Sequence, residues 1–185
     1  MAMNKSEKLE LLGVELQWKL TDAETKNQYC ILEATIPSGV MMPPHRHPDQ
    51  EAFFILEGAP EFALESPHGF EWCFAVPGEL VNIPPMTLHG FRNPTTSDVR
   101  ALIACTPNLG RFFEEAGLPF DYETPYRHKI PSAEQIQRVM EISERYGHVF
   151  SSEKPGVCKR GAGQFAVETL LAHPTKSRVN PAYLF

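Results

Sequence analysis

Between residues 37 and 94 the chain is interrupted by proline or glycine every few residues: Pro37, Gly39, Pro43, Pro44, Pro48, Gly58, Pro60, and so on to Pro84, Pro85 and Pro94. Both residues punctuate secondary structure, one by lacking a donor and fixing φ, the other by its freedom. The profile therefore favours many short strands over a few long helices. Residues 9–20 read as a first strand and 21–27 as a turn. Residues 28–36 read as a second strand, with Cys30, Leu32, Ala34 and Ile36 on one face. Extended segments are expected at 45–57, 79–83, 88–92 and 99–106. Residues 59–65 and 70–76 look like a hairpin turned by Ser66-Pro67-His68-Gly69. In its second arm Phe70, Trp72, Phe74 and Val76 share a face, which is expected to line the interior. About eight short strands with such turns make an all-β sandwich or closed barrel.

After Thr106 the pattern changes. A short helix is expected over 109–116, stopped at Gly117. A longer one is expected over 133–146, with Ser132 and Gln135 at capping-box spacing and Gly147 just past its end. Ala133, Ile136, Val139, Met140 and Tyr146 form its apolar stripe, expected to pack on the barrel or at a dimer contact. Residues 148–185 carry no readable pattern.

A net charge of −6 gives no reason to expect nucleic acid or an anionic membrane as partner. Lys154, Lys159 and Arg160 read as a solvated loop. The N-terminus lacks an apolar signal core and no run is long enough to span a bilayer, so a cytoplasmic location is the expectation. The four cysteines show no CxxC spacing; Cys30 and Cys105, inside apolar runs, are expected to be reduced core residues.

The chemistry-bearing segment is Gly39 to Gly58. On an extended strand His45, His47 and Glu51 point to one face, given a bend at Pro48. Two imidazoles and a carboxylate converging on one point suit a divalent transition metal such as zinc, iron, manganese, nickel or cobalt. A later strand lying beside the first can bring His89 as a fourth ligand.

These two segments resemble the paired signature motifs of the cupin superfamily. The first, G-x5-H-x-H-x3-E-x6-G, is met by Gly39, His45, His47, Glu51 and Gly58. The second, G-x5-P-x-G-x2-H-x3-N, is met by Gly78, Pro84, His89 and Asn93, with Met86 in place of its glycine. The resemblance implies a cupin double-stranded β-helix, or jelly-roll barrel, over residues 1–107. Residues 108–185 would then be a C-terminal helical extension packing on the barrel or on a partner subunit. It implies one divalent metal ion (Fe, Mn, Ni, Zn, Cu or Co) on His45, His47, Glu51 and His89, and a homodimer. The post-barrel segments Gly110-Arg-Phe-Phe-Glu-Glu115 and Arg145-Tyr146-Gly147 are similar to those of quercetin-dioxygenase-like single-barrel cupins.

By strand parity Phe53 and Ile55 follow Glu51 inward, and Phe91 follows His89. With Trp72 and Phe74 they are the candidate substrate-pocket residues, an aromatic cavity suited to a flat small molecule. The expected activity is dioxygenase-like, on a small aromatic or enediol-type substrate chelated at the metal, with Glu51 the candidate base if it leaves the ion. A metal-dependent isomerase, lyase or decarboxylase, and a non-catalytic binding protein, are the alternatives. His68, His128, His148 and His173 lie outside both motifs and are read as ordinary; Tyr29 and Tyr126 are not placed.

Overall fold

The computed structural model describes residues 8–67, 69–122 and 131–157. The expectations for His68, Tyr126, His128, Lys159, Arg160, His173 and the segment 158–185 fall outside the described residues.

The chain opens with β1 (Lys8–Leu11) and β2 (Val14–Leu20). The single first strand expected here is a hairpin, because Leu12 and Gly13 both take positive φ, 49° and 92°. Consecutive positive φ values are what a tight two-residue hairpin turn requires. Next come β3 (Cys30–Ile36), β4 (Met41–Arg46), β5 (Glu51–Glu57), β6 (Glu61–Ser66) and β7 (Gly69–Phe74). Then follow β8 (Leu80–Ile83), β9 (His89–Arg92) and β10 (Val99–Cys105). The expected extended segment 45–57 is broken at residues 47–50, where the chain passes from one sheet to the other.

The strands form two sheets, the jelly-roll sandwich that the sequence pattern called for. One sheet runs β1-β2-β3-β10-β5-β8 and the other β4-β9-β6-β7. Alternation decides the core. In β3, Cys30, Leu32, Ala34 and Ile36 are buried and the residues between them are not. Their partners on β10 include Cys105, Ile103, Ala101 and Val99, all buried. From the other sheet Phe62 and Phe91 meet Phe53, with ring centroids 5.0 and 5.5 Å from it. Each such fully buried apolar side chain is worth about 1.5–3 kcal/mol over its exposed state. Cys30 and Cys105 face each other across β3 and β10 as buried free thiols. Cys73, by contrast, is disulfide-bonded.

The segment after β10 contributes α1 (Pro107–Ala116), β11 (Leu118–Pro119), α2 (Ala133–Arg145), β12 (Val149–Phe150) and β13 (Gly156–Val157). Thr106 caps α1 by accepting from Leu109 N, and Pro107 occupies the first turn, where no donor is missed. Ser132 and Gln135 form the expected capping box on α2. The buried face of α2 is Val139, Ile142 and Ser143; Ile136 and Met140, assigned to the apolar stripe, are exposed. The three short strands extend both sheets: β11 pairs with β1, β12 with β4 and β13 with β7. The chain beyond the barrel is thus woven into both sheet edges as well as helical.

Candidate metal centre

β4 and β9 run antiparallel with His45 directly opposite His89, so both imidazoles enter the interior side by side. His47 lies one residue past the end of β4. Glu51 opens β5 in the opposing sheet, with its side chain on the same inner face as Phe53 and Ile83. The bend between them is fixed from several sides. Asp49 is buried, and its carboxylate accepts from the Thr106 hydroxyl and from Asn108 Nδ2, the latter at 3.0 Å. Thr106 N donates to Gln50 O at 3.2 Å. The start of α1 therefore holds the loop that carries the ligands.

Each of the three histidines presents the same nitrogen inward. Nδ1 of His45 donates to Pro43 O at 2.9 Å, Nδ1 of His89 to Thr87 O at 2.9 Å, and Nδ1 of His47 to Asp49 O at 3.1 Å. A carbonyl oxygen can only accept, so Nδ1 carries a proton in each; Nε2 is then left to the site, with its lone pair free on neutral His45 and His89 and facing the Glu51 carboxylate on His47. This is the arrangement that orients an imidazole for a metal. The ligating atoms of His45, His47 and His89 lie within 4.8 Å of one another. Donor atoms gathered this closely can be shared by a single ion. His89 Nε2 is buried with no hydrogen-bond partner. An orphan acceptor in this setting costs about 1–3 kcal/mol unless something occupies it. Three imidazole nitrogens, one of them unpaired, beside a carboxylate fit a divalent transition metal. Glu51 Oε2 stands 3.3 Å from His47 Nε2 and 3.7 Å from His89 Nε2.

Burial sets the protonation states. Desolvation pushes the His45 pKa down to about 4, with His47 nearby adding to the effect. His89 is held well below its ordinary value, first by desolvation and then by His45 and His47. His47 goes the other way. Desolvation lowers it, but the Glu51 carboxylate and Asp49 outweigh that and leave it raised.

The turn after β8 departs from the glycine of the motif without losing its shape. Met86 adopts φ 61°, the left-handed region. Its N–H donates to His47 O at 2.7 Å, tying the two ligand segments together. Asn93 is buried and latches the following turn, donating to Ile36 O and Ser97 O, both at 2.8 Å.

Of the expected pocket residues, Phe53, Ile55 and Phe91 are buried on the inner faces. Trp72 and Phe74 are not on that face. In the β6–β7 register Trp72 opposes Ala63 and Phe74 opposes Glu61, while Phe62, the partner of Phe91, opposes Cys73. Directly opposed residues share a face, so Trp72 and Phe74 point outward. Trp72 is covered there by the Arg92 guanidinium, 4.6 Å from the ring, and Phe74 is 43% exposed. Arg46 and Arg92 also face out, pairing with Glu65 and Glu61.

His148, read as ordinary from the sequence, lies against the cluster. Its ring is 5.2 Å from that of His47 and 6.2 Å from that of His45. Phe112 of α1 packs on it at 4.2 Å, and Phe150 lies 5.8 Å from His45. The available signal was the alternation His148, Phe150 just after the helix-ending Gly147, but no motif spacing marked it.

Residues 32–105 match the Cupin_2 family model, a cupin domain. No curated protein matches the chain. Among solved structures, the polyketide cyclase RemF from Streptomyces resistomycificus is 19% identical, covering 58% of this chain and 79% of its own, with a TM-score of 0.49. A predicted oxalate decarboxylase from Thermotoga maritima is 17% identical over 57% of this chain and 98% of its own, with a TM-score of 0.49. The DMSP lyase DddQ from Ruegeria pomeroyi DSS-3 is 28% identical over 43% of this chain and 39% of its own, with a TM-score of 0.38. Likenesses of this degree assign no reaction to this chain.

Proposed function

We propose that this protein is a metal-dependent cupin oxygenase, holding one divalent ion on His45, His47, His89 and Glu51. Its substrate would be a small aromatic or enediol-type molecule that chelates through adjacent oxygens. The single observation that carries the reading is the convergence of three imidazoles whose Nδ1 protons are all committed to backbone carbonyls, leaving Nε2 to the site. An ion bound there supplies Lewis acidity toward a chelating substrate and, if redox-active, a route for electrons to dioxygen.

The chain's own residues do the rest. Neutral His45 and His89 offer ligands at physiological pH without first losing a proton. Glu51 is the carboxylate nearest the imidazoles, so Oε2 is the candidate acceptor for a substrate hydroxyl proton. Phe53 and Phe91 keep water from the inner side of the site, which strengthens each charge interaction there. A Lewis-acid isomerase, lyase or decarboxylase would call for an inward cation to steady an anionic intermediate. Arg46 and Arg92 are engaged on the outer face by Glu65 and Glu61 and do not serve that role.

The test is oxygen uptake by iron- or manganese-loaded protein over a panel of catechols, enediols and flavonol-type compounds. At least one should drive oxygen consumption, and Glu51→Gln should lower the rate by about a hundredfold or more. Absence of uptake across the panel with a fully loaded site would contradict the oxygenase reading.

A further inference from the structure

His148 comes from outside the barrel and from outside both motifs. The register of β12 on β4 pairs Val149 with Arg46 and Phe150 with His45. Carried back one residue, it sets His148 opposite His47, on the inner face. The segment is anchored there. His148 N donates to Ser143 O at 2.9 Å, and Ser151 N donates to Pro44 O at 2.9 Å. Gly147 sits on Pro48, where an added Cβ would lie 3.5 Å from the proline ring. The His148 side chain is 8% exposed, and its Nε2 is buried with no partner. A surface-covering residue would be apolar or would pair its nitrogen. An unpaired buried nitrogen held among imidazoles is better explained by a partner that arrives from solution.

The ligating atoms of His45, His47 and His89 gather within 4.8 Å of one another, and His148 stands beside that group at ring distances of 5.2 Å from His47 and 6.2 Å from His45. We propose that His148 is a substrate-binding residue of this centre, its Nε2 hydrogen-bonding an oxygen of the chelating molecule held beside His45 and His47. The α2–β12 corner then forms one wall of the substrate site, and Phe112 sets the imidazole's angle. This inference rests on the metal reading above.

Co(II)-loaded protein titrated with catechol, followed by the visible cobalt spectrum, separates the two. In wild type, Co(II) should bind stoichiometrically and catechol should perturb its spectrum. His148→Phe keeps the ring packing against Phe112 and removes the nitrogen. It should retain Co(II) affinity and lose roughly tenfold or more in catechol affinity, the scale of one hydrogen bond to a charged or metal-bound group. His148→Gln, which restores a polar group, should recover part of that loss. Unchanged catechol affinity in both variants would overturn the proposal, as would wild-type cobalt protein that ignores catechol. Loss of Co(II) from His148→Phe with its fold intact would make His148 a metal ligand and also overturn it. Failure of the wild type to bind Co(II) at all would instead overturn the metal reading, and this inference with it.

Discussion

Each ligand histidine has one nitrogen committed to the fold and one to the site. The committed nitrogen makes the imidazole part of its own turn, so the ring is aimed before any ion arrives. Burying three imidazoles together has a consequence for the metal-free protein. His45 has an ordinary pKa of 6.5 and a folded value of about 4. Between those values the unfolded chain binds a proton that the folded chain refuses. Stability is therefore fully present above pH 6.5 and falls as the pH drops toward 4. His89 acts in the same direction, while raised His47 opposes them and offsets part of the effect. Metal-stripped protein should show a lower urea midpoint at pH 5 than at pH 7, and an equal or higher midpoint would contradict the burial argument. The clustering of His45, His47 and His89 was legible because their spacing follows a motif in the sequence. Met86 was legible only as a departure; that its backbone takes the glycine-like φ of 61° had to be seen. His148 was hidden because its partner strand, β4, lies a hundred residues away in sequence and no local spacing encodes that pairing.

At the scale of elements, positions of strands were easier to read than their faces. Most strands fell close to the expected segments, since Gly and Pro mark ends directly. Faces depend on register, and a shift of one residue turns every side chain over. That is why Trp72 and Phe74 were assigned inward while the β6–β7 register carries them outward. Alternation in β7 sets Phe70, Trp72 and Phe74 against Glu71 and Cys73 and so favours the aromatic face as the inner one, yet the pairing with β6 turns that face outward. Helix α2 misled in a similar way: its exposed Ile136 and Met140 are as apolar as its buried Val139 and Ile142. Helix α1 shows the opposite case, a position where one atom decides. A Cβ on Gly110 would stand 2.7 Å from Cys30 Sγ and 3.2 Å from the Trp18 ring. Both neighbours are buried, so neither can give way easily. Gly110→Ala should destabilise the protein by about 1–3 kcal/mol through overpacking, despite alanine's better helix propensity. Because α1 steadies Asp49, the same substitution should weaken metal retention. A variant as stable as wild type would contradict the close approach of α1 to Cys30 and Trp18.

For the whole molecule, the two sheets and the extension bring separate stretches of the chain to one point. β4 and β9 supply His45 and His89 from one sheet. The crossing loop supplies His47, the other sheet supplies Glu51, and the extension closes over them with His148 and Phe112. A layered sandwich does this because inner faces must be filled, and near the ends of β4 and β9 they are filled with imidazole in place of leucine. The all-β class followed from punctuation and alternation, and the jelly-roll arrangement from the resemblance of the two motifs. The wall built by residues after 107 did not, because its strands are only two residues long and depend on the finished barrel for their pairing.

The central claim is that His45, His47, His89 and Glu51 hold one divalent ion. The most direct measurement is elemental analysis of the purified protein beside the double variant His45→Ala/His89→Ala. Host supply biases which metal is found, since copper and zinc outcompete iron and manganese at such donors, so the content before and after reloading matters more than the identity as isolated. The account predicts about one equivalent of a divalent transition metal per chain in wild type and none in the variant. Wild type that stays empty after reloading, or a folded variant that keeps its metal, would contradict it.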